Sequence, residues 1–128
     1  SMLIGEGNKK INIVGIDDLI SARIGDKPYD IKRAFSKVDS DYPTLFLAHQ
    51  PKVVNVSSGY HYDLLLSGHT HGGQIFPFGL LVLLDQPYLA GLEQIDEQRQ
   101  IYVSRGTGYW GPPIRVMAPS EITLLQLN

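Results

Sequence analysis

Apolar residues fall in short runs along this chain, and the runs differ in kind. Ile11-Asn12-Ile13-Val14-Gly15-Ile16 alternates as a half-covered strand does, and it follows Leu3-Ile4 across the polar, glycine-rich stretch Gly5-Glu6-Gly7-Asn8-Lys9-Lys10. That pattern predicts an opening hairpin, ended by Asp17-Asp18. From Pro28 to Phe35 the apolar positions 31, 34 and 35 follow helical spacing, with proline near the first turn, which predicts a short surface helix. Thr44-Leu45-Phe46-Leu47-Ala48 and Asp63-Leu64-Leu65-Leu66 carry uninterrupted apolar runs, the mark of strands buried on both faces. Tyr88 to Ile95 and Ile101 to Ser104 read as a second hairpin across the charged turn 96–99. Residues 106–113 are a loop by their glycines and prolines, and Glu121 to Leu127 predicts a final strand. No repeat, low-complexity tract or linker interrupts the sequence. The class expected is α/β, strand-rich with few short helices.

Both buried strands deliver histidine at their carboxyl ends, His49 after the first and Gly68-His69-Thr70-His71-Gly72-Gly73 after the second. In open α/β sheets the crevice beyond those ends is where ligands bind. Gly68 is expected to supply a sharp bend, and Gly72-Gly73 to let another group approach closely. If the backbone there is extended, His69 and His71 share a face about 7 Å apart. That spacing suits two imidazoles on the two ions of a pair roughly 3.5 to 4 Å apart, or, more simply, one shared ion. For an arbitrary His-x-His, a turn whose rings bond to the backbone is the commoner role. His61, in the polar stretch 57–62, reads as an ordinary exposed residue.

Length and charge narrow the picture. At 128 residues the chain is one domain's worth. Ser1 ahead of Met2 reads as a residue left by an expression tag, so the domain is taken as 2–128. Eleven Lys plus Arg against thirteen Asp plus Glu give no footprint for nucleic acid or for a membrane recruited by polybasic attraction. There is no cysteine, so disulfides, thiolate metal sites and cysteine nucleophiles are excluded together. Any metal must use His, carboxylate or amide ligands, and zinc, manganese or iron would accept His49, His69 and His71. Between Asp63 and Asp85 there is no acid at all, while Asp17 and Asp18 are placed as turn formers that can also reach the crevice. No signal peptide is visible, and the longest uncharged apolar stretch, Ile75 to Leu84, is about half a membrane span, so the segment reads as soluble.

Arg105, Arg115, Tyr109 and Trp110 lie in or beside the late glycine-proline loop. There an arginine can meet a phosphoryl group and an aromatic can stack on a base or ring, so Arg115, Tyr109 and Trp110 are the candidate substrate-binding residues. Phe76-Pro77-Phe78-Gly79-Leu80-Leu81 directly follows the histidine turn. Most such runs are core, and this one is alternatively a wall for an apolar or lipid-bearing substrate.

Gly68-His69-Thr70-His71 resembles the closing Gly-His-x-His of the calcineurin-like metallophosphoesterases, relatives of purple acid phosphatase. Leu47-Ala48-His49-Gln50-Pro51 resembles that family's preceding strand-end histidine motif. Similarity to its bacterial branch continues through Gly72-Gly73-Gln74-Ile75, Tyr102-Val103-Ser104-Arg105-Gly106 and Pro119-Ser120-Glu121-Ile122, so essentially the whole chain is covered. The resemblance implies the C-terminal half of a layered α/β/β/α sandwich in a hydrolase with two divalent ions (Mn, Fe or Zn). His49 and His69 would hold one ion and His71 the other, acting on phosphate mono- or diesters or pyrophosphates through a metal-bridged hydroxide. The family's Asp-x-His and Gly-Asn-His-Asp or -Glu have no counterpart here. With them go the bridging aspartate, the asparagine ligand and the histidine that would protonate the leaving group. The expectation is therefore an inactive fragment, binding its ions fully only in the longer protein. The alternative is a non-catalytic metal-binding or interaction module of the same fold.

Three further expectations follow. A cut sheet would leave an unpaired edge or apolar face that self-association can cover. The parent is expected to be bacterial, and cytoplasmic or membrane-associated. A metallo-β-lactamase-like enzyme or a histidine-triad hydrolase is disfavoured, because Gly73 stands where either would need a further ligand.

Overall fold

The computed structural model describes residues 1–21 and 29–127. Its elements are β1 (Met2–Glu6), β2 (Lys9–Gly15), α1 (Ile31–Phe35), β3 (Thr44–Leu47), β4 (Leu64–Ser67), α2 (Gly79–Val82), β5 (Gly91–Gln94) and β6 (Gln100–Val103). The strands form one mixed sheet in the order β1-β2-β3-β4-β6-β5. Both predicted hairpins are present as the antiparallel pairs β1–β2 and β5–β6. Between them β2, β3, β4 and β6 run parallel, with Val14 beside Phe46, Phe46 beside Leu65, and Leu65 beside Ile101. The fold is α/β with few short helices, as the hydrophobic pattern predicts.

Those four registered residues point to one face, which is covered. Val14, Phe46, Leu65, Ile101 and Val103 pack there with Val53 and Tyr62 into a core with no solvent exposure. Each such side chain contributes about 1.5 to 3 kcal/mol through burial. Phe35, from α1, closes the layer edge-on to Phe46 at 5.1 Å between ring centroids. Asp30 caps α1 by accepting from the Arg33 amide at 2.8 Å, and Pro28 of the predicted helix start lies outside the described residues. Asn12, Thr44 and Ser67 are the buried polar residues of β2, β3 and β4 on this face, and Asn12 carries the largest polar group. Its side chain donates to the Asp39 and Tyr42 carbonyls and accepts from the Asp39 amide, so the buried amide is satisfied.

The opposite face is different. Ile13, Leu45, Leu64 and Leu66 are only half-buried, and Leu47 and Leu92 are exposed. Parallel strands normally carry a layer on each side. Among the described residues this sheet has one, so the second β layer of the sandwich implied by the resemblance is absent from them.

Two local expectations change. The predicted strand Glu121 to Leu127 has no ladder partner among the described residues, and the segment is irregular, tied to the Tyr102 hydroxyl through Glu121 and Thr123. The apolar run from Phe76 is not core. It breaks into the single turn α2, whose leucines face outward, because Gly73 already occupies the space beneath Gly79.

Candidate metal centre

The site begins where β3 and β4 end. Leu47 and Leu66 are register partners, so the next residues of both strands leave the sheet side by side. Backbone bonds then tie the two exits together: Ala48 N donates to Leu66 O at 3.1 Å, and Gly68 N donates to His49 O at 3.0 Å. The Ser67 hydroxyl, on the covered side, donates to the carbonyls of Ala48 and His49. With both backbones fixed, the rings of His49 and His69 converge. His49 Nε2 and His69 Nδ1 stand 3.1 Å apart, and the rings meet edge to face with centroids at 4.8 Å.

The turn is not extended. Left-handed backbone falls on His69 (φ 71°), His71 (φ 51°), Gly72 (φ 63°), Gly73 (φ 80°) and Gln74 (φ 50°). Gly68 is not among them and has open space where a Cβ would stand. The bend expected at Gly68 is instead taken up by the histidines, and non-glycine residues held in this region cost of order 1 to 3 kcal/mol each. Buried Thr70 over-determines the turn: its hydroxyl donates to Leu89 O at 2.6 Å and accepts from the Gly72 amide. The close approach expected at Gly72-Gly73 is present. A Cβ on Gly72 would meet the Arg105 side chain at 2.9 Å, and one on Gly73 would lie 2.5 Å from Gly79 Cα.

His49, His69 and His71 line one cleft of about 370 Å³ with Thr70, Val82 and Trp110. His49 also lines a larger hollow, about 1050 Å³, beyond the tips of β2, β3 and β4, where Asp17 lies. Asp18 sits beside the pair, its Oδ2 3.7 Å from His49 Nε2. Its other oxygen accepts from the Gln50 side chain and from the Ile20 amide, so it is a turn former that also reaches the site. The pKa of His69 is lowered below the ordinary histidine value, first by burial and then by His49. The ring is therefore neutral at pH 7, with a lone pair for an acid.

Arg115 anchors the late loop. Its guanidinium donates to the carbonyls of His71, Arg105, Gly106, Gly108 and Ala118 and approaches His71 Nδ1 at 3.2 Å. Every N–H of the group is engaged within the protein, and Arg115 meets the site through His71. Trp110 joins the cleft, with the Phe78 ring tilted against it at 5.3 Å between centroids, while Tyr109 is exposed and outside the lining. His61 is outside the cleft lining, 4.0 Å from Asp63, and borders a separate polar depression.

Gln74 enters the sequence reading only as part of Gly72-Gly73-Gln74-Ile75, with no role attached. Fully buried, it pairs with the Trp110 backbone as a strand would, accepting from Trp110 N at 2.7 Å and donating to Trp110 O at 2.8 Å. An uncharged amide directly after the Gly-Gly pair was the available signal.

Two nitrogens bound to one first-row ion at about 2.1 Å stand roughly 3.0 to 3.4 Å apart at octahedral or tetrahedral angles. The 3.1 Å separation of His49 Nε2 and His69 Nδ1 fits that span. Among the described residues no group of three His, Asp or Glu side chains is close enough to hold an ion unaided.

Relatives supply the decision. An uncharacterized metallophosphoesterase of Helicobacter pylori is 52% identical over 118 residues, covering 91% of this chain and 32% of the relative. The chain belongs to the calcineurin-like metallophosphoesterases. A transmembrane protein with metallophosphoesterase domain from Bos taurus is 40% identical over 128 residues, covering 96% of the chain and 29% of that protein. The UDP-2,3-diacylglucosamine pyrophosphatase LpxG of Chlamydia muridarum is 32% identical over 127 residues, covering 91% and 37%. The chain thus spans about a third of the length of the Helicobacter pylori and Bos taurus relatives it matches. No family model and no solved structure matches it. The family uses divalent metal ions. No helix among the described residues is long and apolar enough to cross a membrane.

Proposed function

We propose that this chain supplies the histidine side of a two-metal phosphoesterase centre, with His49 and His69 directed to one divalent ion and His71 to the second. The observation that carries the reading is the 3.1 Å approach of two ring nitrogens from adjacent strand ends, in a cleft that His71 also lines. When bound, such ions neutralise phosphoryl oxygens and make a water acidic enough to act as a nucleophile near neutral pH.

The protein's own residues account for the rest. The cross-tied ends of β3 and β4 fix the donor pair, and partial burial keeps His69 deprotonated for ligation. Arg115 holds the His71 carbonyl and ring edge, and Trp110 walls the cleft. Asp18 is the carboxylate beside the pair, so a bridging carboxylate and a proton donor for the leaving group have to come from elsewhere in the working enzyme. On its own this chain is then inactive. Substrates are phosphate mono- or diesters or pyrophosphates, and the pyrophosphatase name of one relative favours the last.

The alternative, a non-catalytic metal-binding module, draws on the absence of a three-ligand cluster among the described residues. Zinc or manganese titration followed by histidine ring NMR tests the assignment. The ring signals of His49 and His69 move together, and His69→Ala abolishes the change. An unchanged isotherm in His69→Ala removes the ligand assignment, and robust metal-dependent cleavage of a nitrophenyl phosphate diester by this chain refutes its predicted inactivity.

A further inference from the structure

A second depression lies across α2 from the histidines. It has a volume of about 240 Å³ and is lined by Phe76, Leu80, Leu83, Leu89, Val116 and Met117 over a floor of glycines and Pro77. No lining side chain carries a hydrogen-bonding or charged group. Val82 faces the histidine cleft from α2, and Leu80 and Leu83 face this furrow, so one turn of helix separates the two. Gly72 and Gly73 belong to the furrow and directly follow His71, which belongs to the cleft.

The rim is unusually wet for its chemistry. Leu80 is 65% exposed, Phe76 60% and Met117 80%. An apolar cluster left in water beside a candidate catalytic cleft marks a ligand site. Its lining selects the ligand. A peptide would bring amide groups needing partners, and the furrow's side chains offer none, whereas a hydrocarbon chain needs only apolar area. The floor also fixes its depth, because Gly73 and Gly79 are in backbone contact where a Cβ on Gly73 would lie 2.5 Å from Gly79 Cα.

We propose that this furrow holds the alkyl or acyl chain of an amphiphilic phosphate ester whose phosphate lies among His49, His69 and His71. The inference rests on the phosphoesterase reading and names the apolar part of its substrate. At about 30 Å³ per water-sized group, the furrow seats roughly eight methylenes.

The test titrates the protein, with and without added zinc, with butyl, hexyl, octyl and dodecyl phosphate below their micellar concentrations. Methyl NMR of Leu80, Leu83 and Met117 reports on the furrow, and the histidine ring signals report on the cleft. Affinity rises up to about fourfold per added methylene and levels off near eight carbons. Leu80→Glu combined with Met117→Glu, both at exposed positions, flattens that series and leaves the ring shifts in place. A flat series in the unsubstituted protein overturns the proposal. So do methyl shifts that follow protein concentration instead of ligand, since a second copy would then be the occupant. Octan-1-ol moving the methyls while octyl phosphate leaves the rings unmoved keeps a hydrocarbon site and removes the phosphate from the cleft.

Discussion

Replacing Gly73 by alanine tests whether the turn that carries the histidines is clamped by α2. Gly73 has φ 80°, and a Cβ built there lies 2.5 Å from Gly79 Cα and 2.9 Å from Gly79 N. Left-handed backbone costs an L-residue about 1 to 2 kcal/mol. Backbone-to-backbone overlap adds about 1 to 3 kcal/mol, because neither partner can rotate away as a side chain would. The expected loss is about 2 to 5 kcal/mol, a large share of a typical domain's stability. Gly68→Ala is the control. Gly68 has ordinary φ and open space around it, so alanine there is neutral or stabilises by about 0.4 to 1 kcal/mol through the unfolded chain. Urea unfolding followed by the single tryptophan, Trp110, measures both. With m near 2 kcal/mol/M, Gly73→Ala lowers the midpoint by about 1 to 2.5 M. Equal midpoints for the two variants, or a lower one for Gly68→Ala, would refute the assignment of the close contact and of the bend.

Two further outcomes follow. Because the pKa of His69 is lowered in the folded protein, the unfolded chain binds more protons between that lowered value and the ordinary value of 6.5. Stability therefore rises with pH through that window and is lost as pH falls through it, and His69→Gln removes this slope when unfolding is measured from pH 7 to pH 5. The uncovered face of Ile13, Leu45, Leu47, Leu64 and Leu66 is expected to drive self-association of the isolated chain. Sedimentation then shows species heavier than 14.2 kDa increasing with concentration, and a monomer at high concentration counts against it.

The parts of this structure that could be read in advance are those whose signal is local. Uninterrupted apolar runs at Thr44–Leu47 and Leu64–Ser67 mark strands, although among the described residues only one face of each is covered instead of the two expected, and two polar turns mark two hairpins. The strand expected at Glu121 to Leu127 shows the limit. Its alternation satisfies the strand pattern, yet a strand exists only where another edge supplies hydrogen bonds, and that depends on residues distant in sequence. The convergence of His49 and His69 followed from two strand ends of the same type. The roles of Gln74 and Arg115 did not, since each acts by satisfying backbone groups of a loop more than thirty residues away or folded back on itself. The α2 turn escaped notice because four residues are too few to display helical periodicity.

The cross-linked exits of β3 and β4 also bear on ion choice. If His49 and His69 are ligands as proposed, they leave cross-tied backbones and their ring nitrogens already stand 3.1 Å apart before any cation arrives. Small first-row ions with short bonds to nitrogen are accommodated without moving either strand. On the proposed ligand assignment, calcium, which favours oxygen ligands and longer bonds, fits such a pair of imidazoles poorly.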